Sequence, residues 1–154
     1  MFKTTLIAGA SALVLALPAF AEITVEDAYA RSASPMAKTG AAFMMIHNSG
    51  EADRLIGVSS NAAARTELHT HLEGENGVMR MMHVEEGFEL PADGVIAMQR
   101  GGKHVMLMGL NGPMEQGGVV TITLTFEKAG DMVVDMPVDL ERQDHGTMNH
   151  GSGN

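Results

Sequence analysis

Thr121-Ile122-Thr123-Leu124-Thr125-Phe126 decides the fold class of this 154-residue chain. Threonine alternates with Ile, Leu and Phe. That period of two sends one set of side chains into a core and the other to water. Outward from this segment the same pattern recurs. The predicted strands cover residues 23–28, 41–48, 54–59, 65–71, 78–84, 94–98, 104–108, 119–127 and 131–137. Turn-forming residues separate them at Asn48-Ser49-Gly50, Glu73-Gly74-Glu75-Asn76-Gly77, Ala92-Asp93-Gly94, Asn111-Gly112-Pro113 and Ala129-Gly130. Many short strands and no long helical periodicity predict a single all-β domain, a sandwich or barrel. Asn61-Ala62-Ala63-Ala64 reads as a short helical turn. The chain has no internal repeat.

The ends read differently. Met1-Phe2-Lys3 gives a short cationic start, residues 6–20 are apolar or small, and Ala19-Phe20-Ala21 fits an A-x-A cleavage site. The apolar run is too short, and too soon followed by Glu22, for a permanent membrane span. Residues 1–21 are therefore expected to be a signal peptide cleaved after Ala21, residues 22–140 the folded domain, and the protein exported to the periplasm. Residues 141–154 are polar and give a flexible tail that carries His145, Met148 and His150.

Composition narrows the function. The formal charge is −9, and −10 once Lys3 leaves with the signal peptide. Nucleic acid, which needs a basic face, is not an expected partner. The chain has no cysteine, which removes a disulfide framework, thiol redox chemistry and a thiolate-ligated copper centre. It lacks H-E-x-x-H, a G-x-S-x-G elbow and a phosphate-binding Gly-Lys-Ser/Thr loop. No carboxylate pair announces acid–base catalysis, so no enzymatic activity is expected.

What the chain does have is seven His and fourteen Met, clustered. On strand parity His104, Met106 and Met108 leave one face, with Val105 and Leu107 on the other. His69 and His71 share a face with Glu67, opposite Leu68. Met79, Met81 and His83 share a face, opposite Arg80 and Met82. Each motif alone is compatible with ordinary core packing or a polar sheet face. Together, three strands present imidazole and thioether donors, a set that suits Cu(I). Pleat parity favours Met81 over Met82 but cannot choose between His69 and His71.

The words Ala41-Ala42-Phe43-Met44-Met45-Ile46-His47-Asn48-Ser49-Gly50, Glu67-Leu68-His69-Thr70-His71, Gly77-Val78-Met79-Arg80-Met81, Pro91-Ala92-Asp93-Gly94 and 101–110, with His104-Val105-Met106, resemble the PCu(A)C family of periplasmic copper chaperones. The resemblance covers about residues 41–138. It implies a cupredoxin-like Greek-key β-sandwich that holds Cu(I) with two His and two Met. It implies delivery toward the Cu(A) site of cytochrome c oxidase, directly or through an intermediary copper-transfer protein. The family motif is His, ten residues, Met, twenty-one residues, His, one residue, Met. Strict counting selects His71, Met82, His104 and Met106. Aligning the surrounding words selects His69, Met81, His104 and Met106, with one extra residue in each of two loops, and this frame is preferred. His71 and Met82 stay as alternates. Met79 and His83 are expected beside the site, and His47 is expected to be structural. His145, Met148 and His150 look like an auxiliary segment that could also take Cu(II). The rival functions are a copper buffer or sensor, a copper-dependent redox enzyme and a plain β-sandwich assembly module.

Overall fold

A computed structural model describes residues 22–142. The predicted signal peptide and the tail residues His145, Met148 and His150 lie outside the described residues. Ten strands follow one another: β1 (Ile23–Ser32), β2 (Thr39–Asn48), β3 (Asp53–Ser60), β4 (Ala63–Glu73), β5 (Met79–His83), β6 (Phe88–Leu90), β7 (Val95–Met98), β8 (His104–Leu110), β9 (Val119–Phe126) and β10 (Gly130–Pro137). They form two sheets of antiparallel pairs. One has the order β1-β2-β8-β4-β5, with β7 also paired to β2; the other has the order β10-β9-β3-β6. The expected all-β architecture is thus observed. No helix among the described residues is long and apolar enough to cross a membrane.

Alternation builds the core. Ile122, Leu124 and Phe126 of β9 are fully buried, as are Val105 and Leu107 of β8, and Ala42, Met44 and Ile46 of β2 join the same cluster. Each large apolar side chain taken out of water contributes about 1.5–3 kcal/mol. Burying Val105 and Leu107 inward forces His104 and Met106 onto the outer face of the first sheet. The site's placement follows from the packing of its own strand.

Three local readings need correction. β1 runs on to Ser32 because a register shift between Glu26 and Tyr29, with Asp27 at φ 55°, resets its alternation. The short β6 pairs Phe88 with Leu55 and Leu90 with Asp53. Asn61–Ala64 is not helical: Asn61 and Ala62 turn the chain, and Ala63 already belongs to β4.

Two further features bear on the site. Among the described residues β5 pairs with β4 alone, at the edge of its sheet, and all five of its residues are exposed. Leu68 is buried, yet Leu72 on the same face of β4 is exposed, as is Met82 beside it. Among the described residues, therefore, no second sheet lies beneath the far end of this hairpin. At the other side of the sheet, Arg142 pairs with Asp27 and stacks its guanidinium 4.2 Å over the Tyr29 ring. This fixes the last described residue against β1.

Asp53 is the main buried carboxylate away from the site. It accepts hydrogen bonds from the backbone N–H of Arg54 (2.7 Å), Lys128 (2.9 Å) and Ala129 (2.9 Å). Burial pushes its carboxyl up, but these amides and the Lys128 charge outweigh it and hold it below the usual range. The stability it contributes is thus present above the unfolded carboxylate pKa and lost as pH falls through the lower folded value. Asp53→Ala is expected to cost about 1–3 kcal/mol in urea unfolding at pH 7. The difference from the parent protein should shrink below about pH 4.

Candidate metal centre

Strand register assembles the centre. In the β4–β8 pair, His69 lies opposite His104 and Glu67 opposite Met106. In the β4–β5 pair, His69 lies opposite His83 and His71 opposite Met81. All these side chains leave the outer face of the first sheet. Met82 lies opposite Thr70, on the other face. Thus β8, β4 and β5 bring His104, Met106, His69, His71, Met81 and His83 together, with Met79 one pleat further along the hairpin. Met82 is not among them.

His71, Met81, His104 and Met106 line one cleft of about 340 Å³, with Phe43, Arg31 and Arg100 on its rim. Ala41, the partner of Met106 in β2, is small enough to leave this space open. Around His104 the ring centres of His71 and His69 lie at 5.3 and 5.7 Å, and that of Phe43 at 6.1 Å. Such imidazole separations allow two ring nitrogens to share one first-row metal at about 2.0–2.1 Å from each.

The hydrogen bonds decide which nitrogens are available. His104 Nδ1–H donates to the Gly102 carbonyl at 2.9 Å, which leaves the Nε2 lone pair free. His104 is 3% exposed. Burial, aided by the neighbouring His71 and His69 and opposed by the Gly102 hydrogen bond, lowers its pKa and so disfavours the charged ring. His69 Nε2–H donates to Glu67 Oε2 at 2.8 Å, so Nδ1 is its free nitrogen. Among the described residues that Nδ1 is buried without a hydrogen-bond partner, and so is Nδ1 of His71. Buried orphan nitrogens are costly unless a ligand satisfies them. Imidazoles with ring nitrogens left unbonded beside two thioethers are the donor set a soft monovalent metal takes.

The methionines differ too. Met106 is half-buried at the cleft, whereas Met81, on the hairpin, is 52% exposed. Met108, on the same face of β8, has its sulfur 3.6 Å from Arg65 Nη2, which donates to it. His47 lies elsewhere, 3.3 Å from Glu26. The sequence reading placed Glu67 on the histidine face but gave it no part. In the structure it touches His69 and approaches His83 at 3.7 Å. Two-residue spacing within β4 was the signal for the first contact; the second needs the β4–β5 register.

Residues 23–138 match the family model described as LpqE-like, putative lipoprotein. The chain belongs to the LpqE-like family. A relative, "Putative lipoprotein Lxx21020" of Leifsonia xyli subsp. xyli (strain CTCB07), is 35% identical over 99 residues. The match spans 64% of this chain and 59% of that protein. The family's fold is also that of solved PCuAC domains. The copper-bound PCuAC domain from PmoF2 superposes with a TM-score of 0.63 at 27% identity, covering 79% of this chain and 96% of that one. The solution structure of CuI-DR1885 from Deinococcus radiodurans does so with a TM-score of 0.59 at 30% identity, covering 84% of each chain. The resemblance drawn from the sequence motifs therefore holds.

Proposed function

We propose that this chain is an exported copper chaperone. It binds Cu(I) through His69, Met81, His104 and Met106 and passes the ion on by ligand exchange, toward the Cu(A) site of cytochrome c oxidase or an intermediary protein. The observation that carries this reading is the convergence of imidazole and thioether donors from three adjacent strands: His71, Met81, His104 and Met106 line one open cleft, and His69, not itself on that lining, packs beside His104 with ring centres 5.7 Å apart. Copper held by two of the similar solved structures supports the choice of metal.

His69 is preferred as the fourth ligand. Metal-bound histidines almost always donate their second ring N–H to a carboxylate or carbonyl, as His69 and His104 both do here. Among the described residues His71 has no such fixing partner. It lines the cleft beside Met81 and serves as the alternate donor when a ligand is being exchanged. The exposed Met81 is the ligand an acceptor can reach and displace first. Copper then moves between two ligand sets without being released to water. Turnover is not required of such a site, and all four donors are spent on holding the ion rather than on leaving an open position.

The lipoprotein names of the family and relative support export. Periplasmic residence and cleavage after Ala21 belong to this proposal, as does an auxiliary role, including for Cu(II), of His145, Met148 and His150. The test is Cu(I) titration of residues 22–154 against a chromophoric chelator, followed by X-ray absorption. One tightly held equivalent with two sulfur and two nitrogen ligands is expected. A nitrogen-only shell, or no competition with the chelator, overturns the reading. His69→Ala should weaken binding more than His71→Ala, and the reverse order would exchange their roles.

A further inference from the structure

We propose that Glu67 is the positioning residue of this centre: it fixes the tautomer and orientation of His69, so that Nδ1 faces the metal. The inference rests on the copper reading above and adds a residue outside the proposed ligand set.

The carboxylate is only 16% exposed, and its two oxygens do different things. Oε1 accepts from Arg65 Nε at 2.9 Å. Oε2 accepts from His69 Nε2 at 2.8 Å and lies 3.7 Å from His83 Nδ1. A carboxylate can only accept, so His69 must carry its proton on Nε2 and, when neutral, hold its lone pair on Nδ1. A flip of the His69 ring would set carbon against Oε2 and lose the bond. Rotation of Glu67 itself is opposed by Arg65, whose other end donates to Met108 Sδ. Arg65 and Glu67 thus form a brace running from β8 to His69, and His83, stacked on His69 with ring centres 5.9 Å apart, closes the far side. The hydrogen bond from His69 is also the main reason the Glu67 carboxyl lies below its usual range, with the His83 and Arg65 charges assisting against burial.

The brace has a chemical consequence. A carboxylate accepting the N–H of an imidazole raises the basicity of the other nitrogen, and losing such an outer partner typically costs about 10–100-fold in metal affinity. It also limits the ordering His69 must undergo when the ion arrives.

The experiment compares wild type, Glu67→Met and Glu67→Gln, all as residues 22–154. Long-range ¹H–¹⁵N correlation of the copper-free proteins reads the His69 tautomer, and chelator competition reads Cu(I) affinity. The wild type is expected to be Nε2-protonated. Glu67→Met should give a tautomer mixture and about 10–100-fold weaker binding. Glu67→Gln, isosteric and still able to accept from Nε2, should restore the tautomer and most of the affinity. An Nδ1-protonated wild type, or a shifted tautomer with unchanged affinity in Glu67→Met, overturns the role while leaving the copper reading intact. A wild type that binds no Cu(I) overturns both.

Discussion

Replacing Met106 by Leu is expected to weaken Cu(I) binding by at least about 100-fold while changing fold stability by less than about 1.5 kcal/mol. The two side chains have similar volume, so the half-buried position beside Ala41 stays filled. What disappears is the only sulfur that β8 offers to the cleft, since the Met108 sulfur is engaged by Arg65. Loss of an outer partner costs about 10–100-fold; loss of a ligand lies beyond that range. Met132→Leu, on β10 of the other sheet, is the control and should bind as the parent does. His104→Ala should abolish binding as well. It also opens a void under Phe43, so its unfolding curve must accompany the titration. Unchanged affinity in Met106→Leu would remove Met106 from the site.

The second large effect concerns folding. Gly87→Ala is expected to abolish the native state or to destabilise it well beyond the about 1–3 kcal/mol typical of overpacking. A Cβ at position 87 would stand 1.9 Å from the Leu55 carbonyl oxygen and 2.9 Å from its carbon. These are backbone atoms of β3, which cannot swing aside as a flexible side chain can. Gly87 also has φ 73°, a conformation costly for residues with a Cβ. Relief would need β6 to part from β3, breaking the Leu55–Phe88 and Arg54–Glu89 pairings. Gly130→Ala separates the two causes. Its φ is 79°, but among the described residues nothing lies within 4 Å of the added carbon. It should show only the backbone term of about 1–2 kcal/mol in urea unfolding. Equal losses in the two variants would mean that the contact with Leu55 is unimportant.

Strand parity made much of this molecule readable before any coordinates. Thr121–Phe126 reported its own alternation, and the inward Val105 and Leu107 left His104 and Met106 to face outward. Parity also separated Met81 from Met82, because a pleat admits only one of two neighbours to a face. It failed where alternation is interrupted. The Asp27 irregularity hid the continuation of β1, and a three-residue strand such as Phe88–Leu90 is too short to display a period. The three alanines after Asn61 have high helix propensity, but pairing Ala63 with Leu110 of β8 overrides it. Within the site, His69 and His71 have identical parity. Hydrogen bonding and position distinguish them, since Glu67 holds His69 while His71 lines the cleft, and the sequence does not reveal which ring nitrogen a carboxylate will hold. Glu67 escaped notice for the same reason.

The bare hairpin has a further consequence, for oxidative damage. With no thiol in the chain to react first, the thioethers face peroxide directly. Met79, Met81 and Met82 stand in solvent, while Met106 is sheltered by the sheet. A sulfoxide at Met81 would replace a soft sulfur donor with a hard, polar oxygen, and the cleft would lose copper from its outer side first. Because sulfoxides can be reduced enzymatically, Met81, the ligand proposed to exchange first, would also be the one most open to repair.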